Sequence, residues 1–333
     1  MRFSIIIPVK QINQYIQESV PYILALDYNN FEVIILPDNG NIAEINIPPS
    51  ELCGKVRVIS TGHCGPADKR DIGARNADGD ILAFLDDDAY PRKDWLTNAR
   101  PHFEKDDIAA VGGPAVTPND DPLMAKVSGA VYLSPLGGGS CDRYWPQGSS
   151  YCVDDWPSVN LFVRKNDFIK AGGFDSSYWP GEDTKLCLDI VHKHNKKIIY
   201  DPVVLVWHHR RSGFKKHLHQ IAGYGIHRGF FAKKYPQTSL KLKYFIPSLF
   251  TLFMAVGLIL SPFSNLIRLL FAAGVSMYSL GLFYSFIIIL AREKNLLVAL
   301  FALPYIFFTH VIYGVQFLRG YFFTKNLKSK LKH

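Results

Sequence analysis

The chain has 333 residues, enough for one large domain or two medium ones, and 48% of them are apolar. Between positions 245 and 318 only Arg268, Arg292, Glu293 and Lys294 are charged, which excludes a purely soluble protein and equally a disordered or fibrous one. The net charge of +8 is unevenly placed: residues 1–204 carry 20 Lys/Arg against 28 Asp/Glu, whereas residues 205–243 carry nine Lys/Arg, five His and no acid. This is a basic collar before the apolar region, not a nucleic-acid-binding face spread over a domain. Such a collar attracts anionic lipid head groups, each cation contributing about 1 kcal/mol near the surface. The five cysteines (Cys53, Cys64, Cys141, Cys152, Cys187) form no CxxC pair, so a zinc cluster is unsupported. Cys141 and Cys152 could pair, but reduced thiols in a cytosolic domain are the expectation. The opening MRFSIIIPVK meets a proline at position 8 and does not read as a signal peptide, so the leading domain is expected in the cytoplasm.

Phe3–Val9 is an apolar, β-branched run of the kind that forms a strand buried on both faces. Residues 11–26 read as a helix, with Ile12, Ile16, Val20 and Ile23 near helical spacing. Phe31–Leu36 is a second buried strand, stopped by the turn residues Pro37-Asp38-Asn39-Gly40. Val56–Ser60 is a third strand, 66–77 a helix, and Ile81–Leu85 a fourth strand that runs straight into Asp86-Asp87-Asp88. Strands alternating with helices predict a parallel, doubly wound α/β sheet. Ligands bind such sheets beyond the carboxyl ends of the strands, where Asp38 and the acid triplet both sit. Residues 110–165 are less regular, with Gly137-Gly138-Gly139, several prolines and a strand over Val159–Val163. A helix follows Gly181-Glu182-Asp183-Thr184 through Leu186 and Ile190 to His194. A strand over Lys197–Tyr200 and the segment Asp201–Trp207 then lead to His208-His209.

Three uncharged stretches follow, at 244–267, 269–291 and 295–318, each longer than the roughly 20 residues needed to cross a hydrocarbon core. Three in succession predict a multi-pass helical membrane domain. A cytoplasmic start with three full spans puts Arg319, Lys325, Lys328, Lys330 and Lys332 outside, against the positive-inside tendency. Either one segment is re-entrant, or Pro304 breaks the third into a short hairpin.

Four groups could carry chemistry. Three carboxylates at one strand end repel one another, and a hard divalent cation such as Mg²⁺ or Mn²⁺ relieves that while bringing substrate phosphates with it. A solvated acidic turn is the plain alternative. Glu182-Asp183 at a helix start serves either as a dipole-favoured cap or as a general base for an acceptor hydroxyl. His208-His209-Arg210-Arg211 offers either an imidazole ligand to the same cation or a solvated basic turn. The stretch from Gln220 to Arg228 (QIAGYGIHR) fits an interfacial helix holding lipid head groups, or an arginine contacting a pyrophosphate leaving group. Lys69-Arg70 on the 66–77 helix suits a nucleotide diphosphate, with a solvated surface helix as the alternative.

Taken in order, these segments resemble the family 2 glycosyltransferases with the GT-A nucleotide-sugar fold, over about residues 3–230. Phe3–Pro8 looks like the family's opening strand and IPV motif. EVIILPDNG (Glu32–Gly40) looks like the strand ending in its Asp-Asp-Gly-Ser turn, with Asp38 on the second aspartate and Pro37 replacing the first. Arg70-Asp71-Ile72-Gly73, Ala77-Asp78-Gly79-Asp80 and Phe84-Leu85-Asp86-Asp87-Asp88 follow the RNxG…AxGD…FLDDD block, with Asp71 in place of asparagine. Gly172-Gly173-Phe174-Asp175 and Gly181-Glu182-Asp183 resemble the acceptor-side block.

The resemblance implies a mostly parallel, Rossmann-like GT-A domain over 1–243, with 205–243 a juxtamembrane segment. About three spans over 244–318 and a basic tail at 319–333 would follow. It implies a UDP- or GDP-type nucleotide-sugar donor contacted by Pro8, Asp38, Arg70, Asp86 and Asp87, and a divalent cation held by Asp88 and His208. Asp183 would be the catalytic base of an inverting transfer, with Asn160, Glu182, Gln220 and Arg228 toward the acceptor or pyrophosphate. The acceptor would be a glycan, lipid-linked in membrane members such as the succinoglycan-type enzymes, with membrane lipids and no nucleic acid as the other partners. A polyprenyl-phosphate hexose synthase and a non-catalytic sensor of nucleotide sugars are the competing expectations.

Overall fold

The computed structural model describes residues 1–48, 50–52, 54–138, 141–178 and 180–327. Cys53, Gly139 and the tail lysines Lys328, Lys330 and Lys332 lie outside them. The elements run β1 (Phe3–Pro8), α1 (Gln14–Leu24), β2 (Phe31–Leu36), β3 (Val56–Val58), α2 (Pro66–Asn76), β4 (Ile81–Leu85), β5 (Ala89–Pro91) and α3 (Trp95–Ala99). Then come β6 (Ile108–Gly112), β7 (Ala115–Val116), α4 (Leu123–Ala130), β8 (Tyr151–Val153), β9 (Asn160–Arg164), α5 (Lys165–Ala171) and α6 (Glu182–Leu188). The chain closes with β10 (Lys197–Tyr200), β11 (Val206–His208), α7 (Phe214–Lys234), α8 (Pro236–Ser239), α9 (Leu242–Leu260), α10 (Asn265–Glu293) and α11 (Leu296–Leu318). By packing they divide into two units, one of residues 1–116 and 145–209, the other of 117–144 and 210–327.

The first unit is built on an eight-stranded sheet in the order β3-β2-β1-β4-β9-β6-β10-β8. β1 pairs in parallel with both β2 and β4, with Ile5 opposite Val33 and Ala83. Successive side chains on these strands point to opposite faces, and both faces are covered. Phe3, Ile5, Ile7, Val33, Ile35 and Ala83 pack with Ile16, Val20 and Ile23 of α1. Ile6, Ile34, Leu36, Leu82 and Phe84 pack on the other side with Ala67 and Ala74 of α2 and Leu186 of α6. That two-sided burial is why the strands are mostly apolar rather than alternating, with the buried Ser4 hydroxyl donating to Glu32 Oε1 at 2.7 Å. The sheet is mostly parallel, as expected for the GT-A fold; β9 enters antiparallel between β4 and β6, and β8 is antiparallel to β10. A small second sheet, β5-β11-β7, sits beyond β4. The described cysteines, Cys64, Cys141, Cys152 and Cys187, are free thiols.

The second unit contains three helices long and apolar enough to cross a membrane, Leu242–Leu260, Asn265–Glu293 and Leu296–Phe323. The third runs unbroken through Pro304, so the hairpin reading of that stretch is corrected. Neighbouring helices and local adjustment re-satisfy the groups that a proline frees in such a helix. The Gln220–Arg228 stretch lies on α7, which packs lengthwise on α11. The helices approach closely at Gly225, where an added Cβ would stand 2.8 Å from the Tyr313 carbonyl oxygen. Small residues at helix crossings allow that approach. Gly225 therefore serves helix packing rather than ligand access.

Asp71 of α2 illustrates a cost carried by the first unit. Its Oδ1 accepts from the Phe174 N–H at 3.0 Å, and burial pushes its carboxyl up from 3.8 to about 6. A group that binds its proton more tightly when folded stabilises the fold at low pH and loses that contribution as pH rises through the folded value. Asp71→Asn keeps the accepting oxygen and removes the charge. It is expected to stabilise the protein by about 1–3 kcal/mol at pH 7.5 and to change nothing near pH 4. Thermal unfolding of the detergent-solubilised protein at the two pH values checks this, and an unchanged midpoint at pH 7.5 refutes it.

Candidate active site

β4 delivers the acid triplet to the carboxyl edge of the sheet. In the turn that follows, Asp86 and Asp88 come together, whereas Asp87 meets Asn13 at the start of α1. β11 pairs antiparallel with β5, setting His208 opposite Ala89 and so beside Asp88. His208 Nε2 lies 3.1 Å from Asp88 Oδ1, and the His209 N–H donates to the Asp88 carbonyl oxygen at 2.9 Å. One ligand atom each from Asp86, Asp88 and His208 fall within 4.8 Å of one another, all partly exposed. Two carboxylates and one imidazole suit Mg²⁺ or Mn²⁺, with room for substrate oxygens. The donor set fits the group expected.

Arg70 of α2 connects this cluster to the second acidic motif. Its Nη2 donates to Asp86 Oδ1 at 2.6 Å and its Nη1 to Glu182 Oε1 at 3.2 Å. The side chain is buried, its guanidinium lies over the Phe174 ring, and Nε has no partner among the described residues. Burial opposes its charge, but Asp86, Glu182 and Asp183 together raise its pKa. Gly181 precedes α6 with φ +136°, a left-handed conformation that glycine adopts without strain. Its N–H donates to Glu182 Oε2 at 2.9 Å, turning that carboxylate inward. Burial and then the Asp183 charge push the Glu182 carboxyl up, with Arg70 pulling it back. Asp183 remains partly exposed and accepts from the Thr184 N–H at 2.7 Å. Thr184 Oγ1 donates to buried Asp155 at 3.0 Å, securing the first turn of α6.

Asp38 sits at the end of β2 in an ion pair with buried Lys69, and 2.9 Å from His63 Nδ1. Burial raises its pKa, but the hydrogen bonds from Lys69 and His63 prevail and hold it below the ordinary range. Pro8 closes β1 within the core. Asp87 accepts from Asn13 Nδ2 at 2.7 Å, and burial, followed by the Asp88 charge, pushes it up to about 6. It belongs with helix α1 and not with the Asp86–Asp88–His208 cluster. Asn160 is corrected from an acceptor contact to a cross-link of the core. It is fully buried, accepts from Trp95 Nε1 at 2.9 Å, and donates to the carbonyls of Pro114 and Val204 at 3.2 and 2.8 Å. Gln220 and Arg228 both lie on α7 in the helical unit. Gln220 donates to Tyr224 Oη at 2.7 Å, and Arg228 donates to Ser239 Oγ at 3.2 Å with its guanidinium over the Tyr244 ring. Sequence reasoning missed Asn13, Glu18 and Asp155. Only Asn13 left a signal, as a preferred cap residue just before a helical run.

Residues 4–162 match the family model described as glycosyl transferase family 2. The chain carries a family 2 glycosyltransferase domain. Among the relatives of this glycosyltransferase is a dolichyl N-acetyl-α-D-glucosaminyl phosphate 3-β-D-2,3-diacetamido-2,3-dideoxy-β-D-glucuronosyltransferase of Methanococcus voltae. It is 24% identical over 245 residues, 69% of this chain and 74% of that protein. A glucosyl-dolichyl phosphate glucuronosyltransferase of Haloferax volcanii is 23% identical, covering 62% of this chain and 69% of its own. A pre-mycofactocin glycosyltransferase of Mycobacterium tuberculosis is 28% identical over 190 residues, 56% of this chain and 39% of that one. Among solved structures, a mannosyltransferase from Pyrobaculum calidifontis in complex with GDP-Man and Mn²⁺ aligns with a TM-score of 0.59 and 17% identity. The alignment covers 90% of this chain and 86% of that one, and shows the shared GT-A fold.

Removing Arg70 tests the bridge. Arg70→Met leaves Asp86 and Glu182 without their shared cation and is expected to cost about 3–5 kcal/mol, the range for breaking a buried pair. Arg70→Lys, a single point charge, cannot serve both carboxylates in a fork and should fall between the two. Unfolding midpoints of the three proteins decide it, and a Met variant as stable as wild type would show the bridge to be dispensable.

Proposed function

We propose that this glycosyltransferase transfers a sugar with inversion, in a divalent-cation-dependent reaction, from a UDP- or GDP-type donor to a lipid-linked glycan at a membrane. The observation that carries the reading is the Arg70 bridge, which ties the Asp86–Asp88–His208 cluster to the helix start bearing Asp183. Asp86, Asp88 and His208 would hold the cation, which when bound offsets the charge of the departing nucleoside diphosphate. Asp183 accepts the proton of an acceptor hydroxyl. That oxygen bonds to the anomeric carbon as the bond from carbon to the diphosphate oxygen breaks on the opposite face. Arg70 and Glu182 hold the Asp183 peptide in place, and the Asp183 carboxylate stays partly exposed at the helix start, where an acceptor can approach it.

The relatives from Methanococcus and Haloferax, by name, act on dolichyl phosphate-linked sugars. That supports a lipid-linked acceptor here, as do the three long apolar helices. The basic stretch at 205–243, directly before the first of them, favours a catalytic unit on the cytoplasmic side of a multi-pass membrane protein.

Asp183→Asn is expected to lower transfer by about 10²–10⁴-fold while leaving nucleotide binding intact. Release of nucleoside diphosphate from a donor panel by the purified protein measures the first, and equilibrium binding of the nucleotide the second. Wild-type turnover by the variant would overturn the assignment and favour an already ionised phosphate as nucleophile. Chelation should abolish release, and added Mn²⁺ should restore it; release that survives chelation would refute the cation's part.

A further inference from the structure

We propose that α1 is a clamp that positions the cation site, acting through Asn13 and Glu18 on the residues next to the ligands. The proposal rests on the reading of Asp86, Asp88 and His208 as cation ligands. Asn13 caps α1, its Oδ1 accepting from the N–H groups of Tyr15 and Ile16, both at 3.0 Å. The same amide donates through Nδ2 to Asp87 Oδ2 at 2.7 Å. Five residues on, Glu18 Oε2 lies 2.9 Å from His209 Nε2, and the His209 ring packs 5.0 Å from that of Tyr15. Further along, Tyr22 stacks on Tyr90 at 4.5 Å, and Tyr90 stacks on Trp207. α1 thus holds residues adjoining the site on both ligand-bearing segments, the turn after β4 and the end of β11.

The residues held are not the ligands but their neighbours. Asp87 stands between Asp86 and Asp88, and His209 follows His208. Fixing the intervening side chain sets the backbone torsions that aim the carboxylates on either side of it. Fixing His209 does the same for His208, and the His209 N–H then joins the two segments through the Asp88 carbonyl. These ties add to the Arg70–Asp86 and His208–Asp88 contacts in fixing the spacing of the ligands. Outer partners of this kind typically change metal affinity by 10–100-fold when removed.

Asn13→Ser keeps a good cap but cannot reach Asp87, and Glu18→Ala releases His209. Gln17→Ala is the control. It lies on α1 between the two, and among the described residues its side chain bonds the backbone of Glu44 and Asn46. Mn²⁺ affinity of the full chain in detergent, read by electron paramagnetic resonance without turnover, is expected to fall about tenfold or more in the first two variants. It should stay at the wild-type value in the third, with all three unfolding midpoints lowered to a similar extent. Equal Mn²⁺ affinity in Asn13→Ser, Glu18→Ala and wild type would overturn the clamp, as would an equal loss in Gln17→Ala. If one of the two does not fold, the other decides alone. A wild-type protein that binds no Mn²⁺ saturably would instead remove the cation reading, and the clamp with it.

Discussion

Arg70 has given up nearly all its contact with water, and Asp86 and Glu182 offset the desolvation of its permanent charge. The exchange works in both directions. Glu182 is equally buried, and without the guanidinium its carboxyl would have to take up a proton or force the first turn of α6 open. A planar fork with two separate donor edges can satisfy both acids at once, which an ammonium cannot. The consequence for function lies in what is left over. Asp86 retains a partly exposed oxygen for a cation, and Asp183, the residue after Glu182, stays accessible at a helix start whose position is no longer adjustable. One buried cation therefore sets the spacing between the leaving-group end and the proton-accepting end of the proposed reaction.

The helical unit meets a different constraint, because its buried backbone groups must find partners within the protein. Residues 117–144 pack with the long helices, and their short 3-10 turns leave carbonyls at Leu133 and Leu136 outside any regular ladder. Arg292 donates to the first at 2.6 Å, and His310 Nε2 to the second at 2.5 Å. With Nε2 as donor, His310 Nδ1 is left to accept from the Tyr278 hydroxyl at 2.9 Å. His217 works similarly on α7, bonding Ser128 and Thr309 through its two ring nitrogens, both at 2.8 Å. Polar residues that look out of place in an apolar sequence are thus the groups that satisfy the segment packed against these helices.

Much of the sheet was legible because its physics is local. β1, β2 and β4 are buried on both faces, so they appear as mostly apolar runs, and the acid triplet at the end of β4 could be placed by reading one strand. The direction of β9 was not legible, since a five-residue strand has the same composition whichever way it runs. Asn160 was misread for a related reason. A core cross-link whose partners are Trp95 and the carbonyls of Pro114 and Val204 leaves no mark near position 160. Residues 117–144 looked irregular because what orders them comes from helices more than a hundred residues later. Asp183 and Asp88 could each be picked from their motifs, whereas the guanidinium joining those motifs spans 112 residues to Glu182 and could only be seen folded.

Lys69 and Arg70, read from sequence as cations facing a diphosphate, are each already engaged with carboxylates. Consecutive positions on a helix point about 100° apart, so α2 sends one cation to either side of β1. Lys69 reaches Asp38 at the end of β2 and the Val9 carbonyl at 2.5 Å, while Arg70 reaches Asp86 at the end of β4. β2 and β4 are the two neighbours of β1 in the sheet, so the pair neutralises both acidic strand ends that flank the crevice. Their charge is committed to holding those acids in place. On the proposed reading, a donor's diphosphate entering the crevice must therefore find its counter-charge in a cation held by Asp86, Asp88 and His208. That is a physical reason for the reaction to depend on the ion, beyond the suitability of the ligands themselves. The same committed charge holds Asp38 in its ionised form and fixes it at the end of β2.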